Sequence, residues 1–181
     1  CIERCVAEGM EYVGIVEHLG GWRHPIESLV ELMAEFRQLD PAVPVAVGME
    51  VGTHDAEGAL HGTQAEREAV GLDFVMVESS SSPDEVRSVD AFIEFDHRCQ
   101  MAATTENPWV DVIVHPWTTH SKRLQRAGYE GEWEFSLIPE SFLIEWADAL
   151  ATHNTACEIN KKNIDFFEDP LYQYFIDELV K

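Results

Sequence analysis

Five short runs of Val, Ile, Met and Phe punctuate this 181-residue chain, at Tyr12–His18, Val43–Val51, Phe74–Ser80, Val110–Pro116 and Ala156–Asn160. Their starts recur at intervals of roughly 30 to 45 residues, which leaves room for one helix and a loop in each crossover. Helical stretches fill the gaps. Pro25–Leu39 carries Ile26, Leu29, Val30, Leu32, Met33 and Phe36 at three- and four-residue steps. Thr63–Val70 is followed by Gly71, a natural stop. Ser82, Pro83, Asp84 and Glu85 read as the cap and first turn of the next helix. Pro139–His153 repeats the pattern with Phe142, Leu143, Trp146 and Leu150. Buried strands alternating with helices predict an α/β fold with a parallel sheet, open or closed into a barrel.

At the ends, Cys1–Gly9 reads as a helix already under way and Pro170–Lys181 as a helical face, so a strand is expected to be absent at each end of the series. No linker or repeat interrupts the chain, and a single domain is expected.

Charge narrows the function classes. Lys plus Arg total 12 against 34 for Asp plus Glu, a formal net charge of −22. Such a surface repels phosphate backbones and anionic lipid, so nucleic-acid binding and membrane adhesion are disfavoured. No apolar run reaches the roughly 20 residues of a membrane helix. The four cysteines include no CxxC pair; Cys1 and Cys5 lack a matching ligand pair, and small buried thiols in a cytoplasmic protein are expected.

In parallel α/β folds, ligands bind at the carboxyl ends of strands. His18 ends the first run, Glu50 the second, Glu78 to Ser80 the third and His115 the fourth, while Glu158 and Asn160 occupy the fifth. Imidazole and carboxylate are the ligand set that zinc, manganese and iron share. Alternation puts Gly14, Val16 and His18 on one side of their strand, and Asp111, Ile113 and His115 on one side of theirs. Glu158 and Asn160 likewise share a side. The Ser79–Ser82 run lacks the Gly-x-Ser-x-Gly context of a nucleophile and reads as loop and cap.

Four of these segments resemble motifs of one family. Gly9–His18 (GMEYVGIVEH) looks like the segment of the PHP (polymerase and histidinol phosphatase) superfamily that ends in Thr-Asp-His. Val47–Thr53 (VGMEVGT) is similar to its glutamate motif, Asp111–Pro116 (DVIVHP) to its His-Pro strand end, and Ala156–Asn160 (ACEIN) to its Glu-Ile-Asn strand. Order and approximate spacing agree over nearly the whole chain. The resemblance implies parallel βα units of a distorted seven-stranded, TIM-like barrel, with about five strands present. It also implies divalent metals (zinc, manganese or iron) and hydrolysis of a small phosphorylated substrate.

Carried over by position, His18, Glu50 and His115 match metal-binding places. Glu17 stands where the family has an aspartate, and Ser80 replaces a histidine. Glu158 and Asn160 match a strand that shapes the pocket. The family's opening His-x-His strand would precede Cys1 and its closing Asp-x-His strand would follow Lys181. A non-catalytic scaffold of the same fold and a barrel hydrolase acting on C–N bonds are the competing expectations, and pairing of copies through exposed sheet edges is a further one.

Other residues are candidates for the pocket. Arg23 and His24 follow the first strand, Glu78 could compensate for Ser80, and His120 lies beyond the His-Pro turn with Trp117 before it. His54 and His61 flank an acidic loop after Glu50, and Asp55–Glu57, Trp22, Trp117 and Trp133 suggest a rim. His97 and His153 fall in helices, away from the strand ends.

Overall fold

The computed structural model describes residues 2–19, 26–38, 40–53, 55–79, 88–117, 124–125, 128–131, 134–160 and 166–180. Among these are five strands, β1 (Val13–Leu19), β2 (Val45–Gly52), β3 (Phe74–Glu78), β4 (Val112–Val114) and β5 (Ala156–Cys157). They form one parallel sheet in the order β1-β2-β3-β4-β5, so each strand pairs with its neighbours in sequence. Six helices accompany them: α1 (Ile2–Ala7), α2 (Ile26–Phe36), α3 (Gln64–Val70), α4 (Val89–Thr105), α5 (Glu140–His153) and α6 (Pro170–Leu179). A 3₁₀ turn at Phe135–Leu137 precedes α5. The α/β class and the parallel sheet are as expected. Among the described residues no helix is long and apolar enough to cross a membrane.

Local chemistry explains several boundaries. Thr63 and Glu66 form a reciprocal capping box at the start of α3, and Gly71 closes that helix in the left-handed conformation (φ 73°). Asp169 caps α6, accepting from the amides of Leu171 and Tyr172. The described part of α4 begins at Val89, with Ser88 accepting from the Ala91 amide. The cap expected at Ser82–Glu85 lies outside the described residues, as do Cys1, Pro25, Leu39 and Lys181.

The sheet has two unlike faces. Val47, Met49 and Val51 of β2, Val75 and Val77 of β3, and Ile113 of β4 are buried in one core with Leu29 and Met33 of α2, Phe92 and Ile93 of α4, and Leu143, Trp146 and Leu150 of α5. The helices therefore cover that face. On the other face Phe74, Met76 and Glu78 alternate with those buried valines and are only half-buried. Gly48 lies on this second face, paired with Phe74, and a Cβ there would fall 2.4 Å from the Phe74 ring. Glycine at 48, with Gly14 beside it, is what lets the phenyl ring lie flat across β2 and β1.

The amino-terminal ends of the strands are fastened by a repeated device. The Asp73 amide donates to the Val47 carbonyl, while its carboxylate accepts from the Val47 amide, each at 2.8 Å. Asp111 treats Val75 in the same way, at 3.0 and 2.8 Å. Arg67 of α3 ties the two together, with Nη2 2.9 Å from the Asp111 carboxylate and 3.3 Å from the Asp73 carbonyl, and Nη1 donating to the Trp109 carbonyl.

Candidate functional site

His18, Glu50 and Glu78, expected at the strand ends, fall on the half-buried face. Register pairs His18 with Glu50 and Gly52 with Glu78, and paired residues on parallel strands point to the same side. His18 Nε2 lies 3.3 Å from Glu50 Oε1; the histidine side chain is 45% exposed and the glutamate 11%. Phe74 and Met76 form an apolar floor on the same face. Glu17 takes the opposite side of β1 from His18.

A second group gathers where β4 meets β5. The Glu158 amide donates to the Ile113 carbonyl, extending the pairing by one residue. Its carboxylate oxygen Oε2 accepts from the His115 amide at 3.0 Å and stands 3.1 Å from His115 Nδ1. Asn160 Nδ2 reaches the same ring nitrogen at 2.9 Å and the same carboxylate oxygen at 3.1 Å. The side shared by Glu158 and Asn160 in the sequence thus becomes a side-chain contact with His115.

His115 does not continue the alternation of its strand. Its φ is 53°, and that of Trp117 is 56°, so two non-glycine residues in the left-handed region flank Pro116. Such a conformation costs on the order of 1–3 kcal/mol per residue, and a following proline restricts the backbone further. It persists only where surrounding contacts impose it. β4 accordingly ends at Val114, short of the expected Pro116.

Trp117 is not a rim residue. It is 1% exposed, its indole parallel to the His97 ring (centroids 6.0 Å apart, 13°) and edge-on to Trp146 (6.1 Å, 89°). His97, expected to be remote from the strand ends, is 5% exposed and packs under this turn. Beside it on α4, Asp96 is 9% exposed, accepts from Ser79 at the end of β3 and from Gln100 at 2.9 Å. The signal for this pair is polarity in an apolar stripe. Asp96 and Gln100 follow Phe92 at four-residue steps, where helical periodicity asks for core residues.

The expected ligands form two groups. His18 meets Glu50, and His115 meets Glu158 and Asn160, with β3 between them. Among the described residues no three His, Cys, Asp or Glu side chains come together as a metal-holding set. Arg23, His24, Ser80 and His120, with His54, Trp22 and Trp133, lie outside the described residues. His61 and His153 are exposed. Asp55 is a loop brace that accepts from the amides of Glu57 and Ala59, and Glu57 pairs with Arg98 at the surface.

Cys5, Cys99 and Cys157 form no disulfide among the described residues. Burial, with the Glu158 carboxylate adding to it, pushes the Cys157 thiol from 9.0 up to about 12, which removes it as a nucleophile near neutral pH.

No family model and no curated protein matches the chain. One solved structure it resembles is a chain in a cryo-EM structure of archaeal ribonuclease P with mature tRNA, at 14% identity and a TM-score of 0.41. The likeness covers 99% of this chain, which spans 61% of that one. At those values it carries no functional argument, and the side chains must supply one.

Proposed function

We propose that this chain is a metal-dependent phosphoesterase domain of PHP type, its sheet forming an arc of a βα barrel. His18 and Glu50 would hold a divalent metal (zinc, manganese or iron) at the ends of β1 and β2, and His115, set apart on the far side of β3, would serve a second metal position. One observation carries the reading: His18 Nε2 and Glu50 Oε1 are 3.3 Å apart. A charge-assisted hydrogen bond draws N and O to roughly 2.7–2.9 Å. Two ligands on one tetrahedral metal, each bonded at about 2.0–2.1 Å, lie about 3.3 Å apart. The pair is therefore spaced as ligands are, and its donor set suits these metals.

A bound divalent metal would supply Lewis-acid polarisation and neutralise charge on a phosphoryl group. The residues of the chain prepare that chemistry. His18, 45% exposed, would be open to an incoming substrate, while Glu50, 11% exposed, is held in the protein. With Nδ1–H donating to the Glu158 carboxylate 3.1 Å away, His115 would present Nε2 as its ligand atom. The net charge of −22 repels phosphorylated substrates, so turnover depends on the cation. The two outer strands, β1 and β5, further support edge pairing between copies; a concentration-independent monomer in light scattering would remove that part.

The test is metal content and p-nitrophenyl phosphate hydrolysis after loading with Zn²⁺ or Mn²⁺. Wild type should bind metal and turn over, and His18→Ala and Glu50→Gln should lose both while still melting cooperatively. A wild-type protein that takes up no metal and hydrolyses nothing would refute the reading and favour a scaffold. Cleavage of amides in place of phosphoesters would move it to C–N chemistry.

A further inference from the structure

We propose that His97 is a positioning residue for His115, acting through its ring contact with Trp117. The starting point is the turn. His115 and Trp117 both hold left-handed backbone angles around Pro116, and some set of contacts must impose them. On the His115 side, Glu158 and Asn160 supply hydrogen bonds. On the Trp117 side no hydrogen bond does so: the indole Nε1 is buried and finds no partner among the described residues. Among the described residues, ring packing sets where that indole lies.

The packing is specific. The His97 ring lies parallel to Trp117 and also to Phe142, whose centroid is 4.0 Å away at 4°. Glu145 fixes the rotation of the imidazole, with Oε2 3.0 Å from Nε2. Burial holds His97 below its ordinary pKa against the pull of that carboxylate, so the ring is neutral near pH 7 and Nε2–H donates. Its Nδ1 is then a buried acceptor with no partner among the described residues. The ring is kept for its flat face, and hydrogen bonding accounts for only one of its nitrogens.

Phenylalanine should therefore replace it. His97→Phe keeps the flat face and removes the unsatisfied Nδ1, and the Glu145 side chain, already 60% exposed, returns to water. His97→Leu fills similar volume without a flat face.

The experiment compares wild type, His97→Phe and His97→Leu in the metal-free protein by NMR, following the cross-peak between the His115 ring protons and the Asn160 side-chain amide. Wild type and Phe should show it, and Leu should lose it while retaining the helical circular-dichroism signal. If His97→Leu does not fold, Phe142→Leu, which keeps His97 and removes its other ring neighbour, supplies the comparison. Zn²⁺ titration gives a second reading, with affinity about tenfold weaker in Leu and unchanged in Phe. Retention of the cross-peak in Leu, or its loss in Phe, would overturn the proposal. Only the Zn²⁺ arm rests on the metal reading above. If wild type binds no Zn²⁺, that reading fails while the cross-peak still decides the role of His97.

Discussion

Gly48→Ala is a sharp test of the half-buried face, because the three atoms nearest the new methyl all belong to one ring. Its Cβ would lie 2.4 Å from Phe74 Cε2 and 2.6 Å from Cδ2 and Cζ. Carbon atoms rest at about 3.5–4.0 Å, so the ring must retreat by about 1 Å or more. If it stays, overpacking costs about 1–3 kcal/mol. If it swings into solvent, it forfeits part of the roughly 2 kcal/mol that burying such a side chain contributes. The cheaper route sets the loss at about 1–2 kcal/mol, or a fall in Tm of roughly 2–8 °C for a chain of this size. The assay is thermal melting in a double-mutant cycle with Phe74→Ala. In that background Gly48→Ala should be neutral or slightly stabilising, since alanine restricts the unfolded chain. The coupling should then equal most of the single-mutant loss. Equal destabilisation in both backgrounds would refute the argument that glycine is there for the phenyl ring.

Two further outcomes follow from contacts elsewhere. Arg67→Met removes the links to Asp111, Asp73 and Trp109 and should cost about 2 kcal/mol in urea unfolding; a loss below a few tenths would mean that the carboxylates hold the strands unaided. Cys157 has a folded pKa raised from 9.0 to about 12, so its contribution is full below pH 9 and fades as pH rises toward 12. Urea midpoints should drop between pH 9 and 11 in wild type and drop less in Cys157→Ala, whereas parallel curves would count against a buried neutral thiol.

Much of the fold can be read directly from residue patterns. The Phe74–Val77 run and the Val45–Val51 run are strands because Val, Met and Phe alternate or accumulate where one face is covered by helices. Thr63 and Glu66 announce the start of α3, and Gly71 its end. Strand ends are harder to read, since pairing depends on a neighbour. β5 pairs through Ala156 and Cys157 with one further bond from the Glu158 amide, and the side chains of Glu158 and Asn160 turn to His115. At the site, His18 and Glu50 are legible as strand-end residues, and their meeting follows from the register. The left-handed turn at His115 is not, because nothing local favours it; Glu158, Asn160 and the rings packed on Trp117 impose it from distant positions. Asp96 and His97 escape a periodicity argument for the same reason that makes them informative, being polar where an apolar residue would fit.

The repeated aspartate junctions at Val47 and Val75, with Arg67 spanning them, place the alignment of neighbouring strands in side chains at one rim of the sheet. The opposite rim is relieved of that duty. Loops leaving β1, β2 and β3 can therefore change in length or sequence at little risk of letting the strands slip past one another.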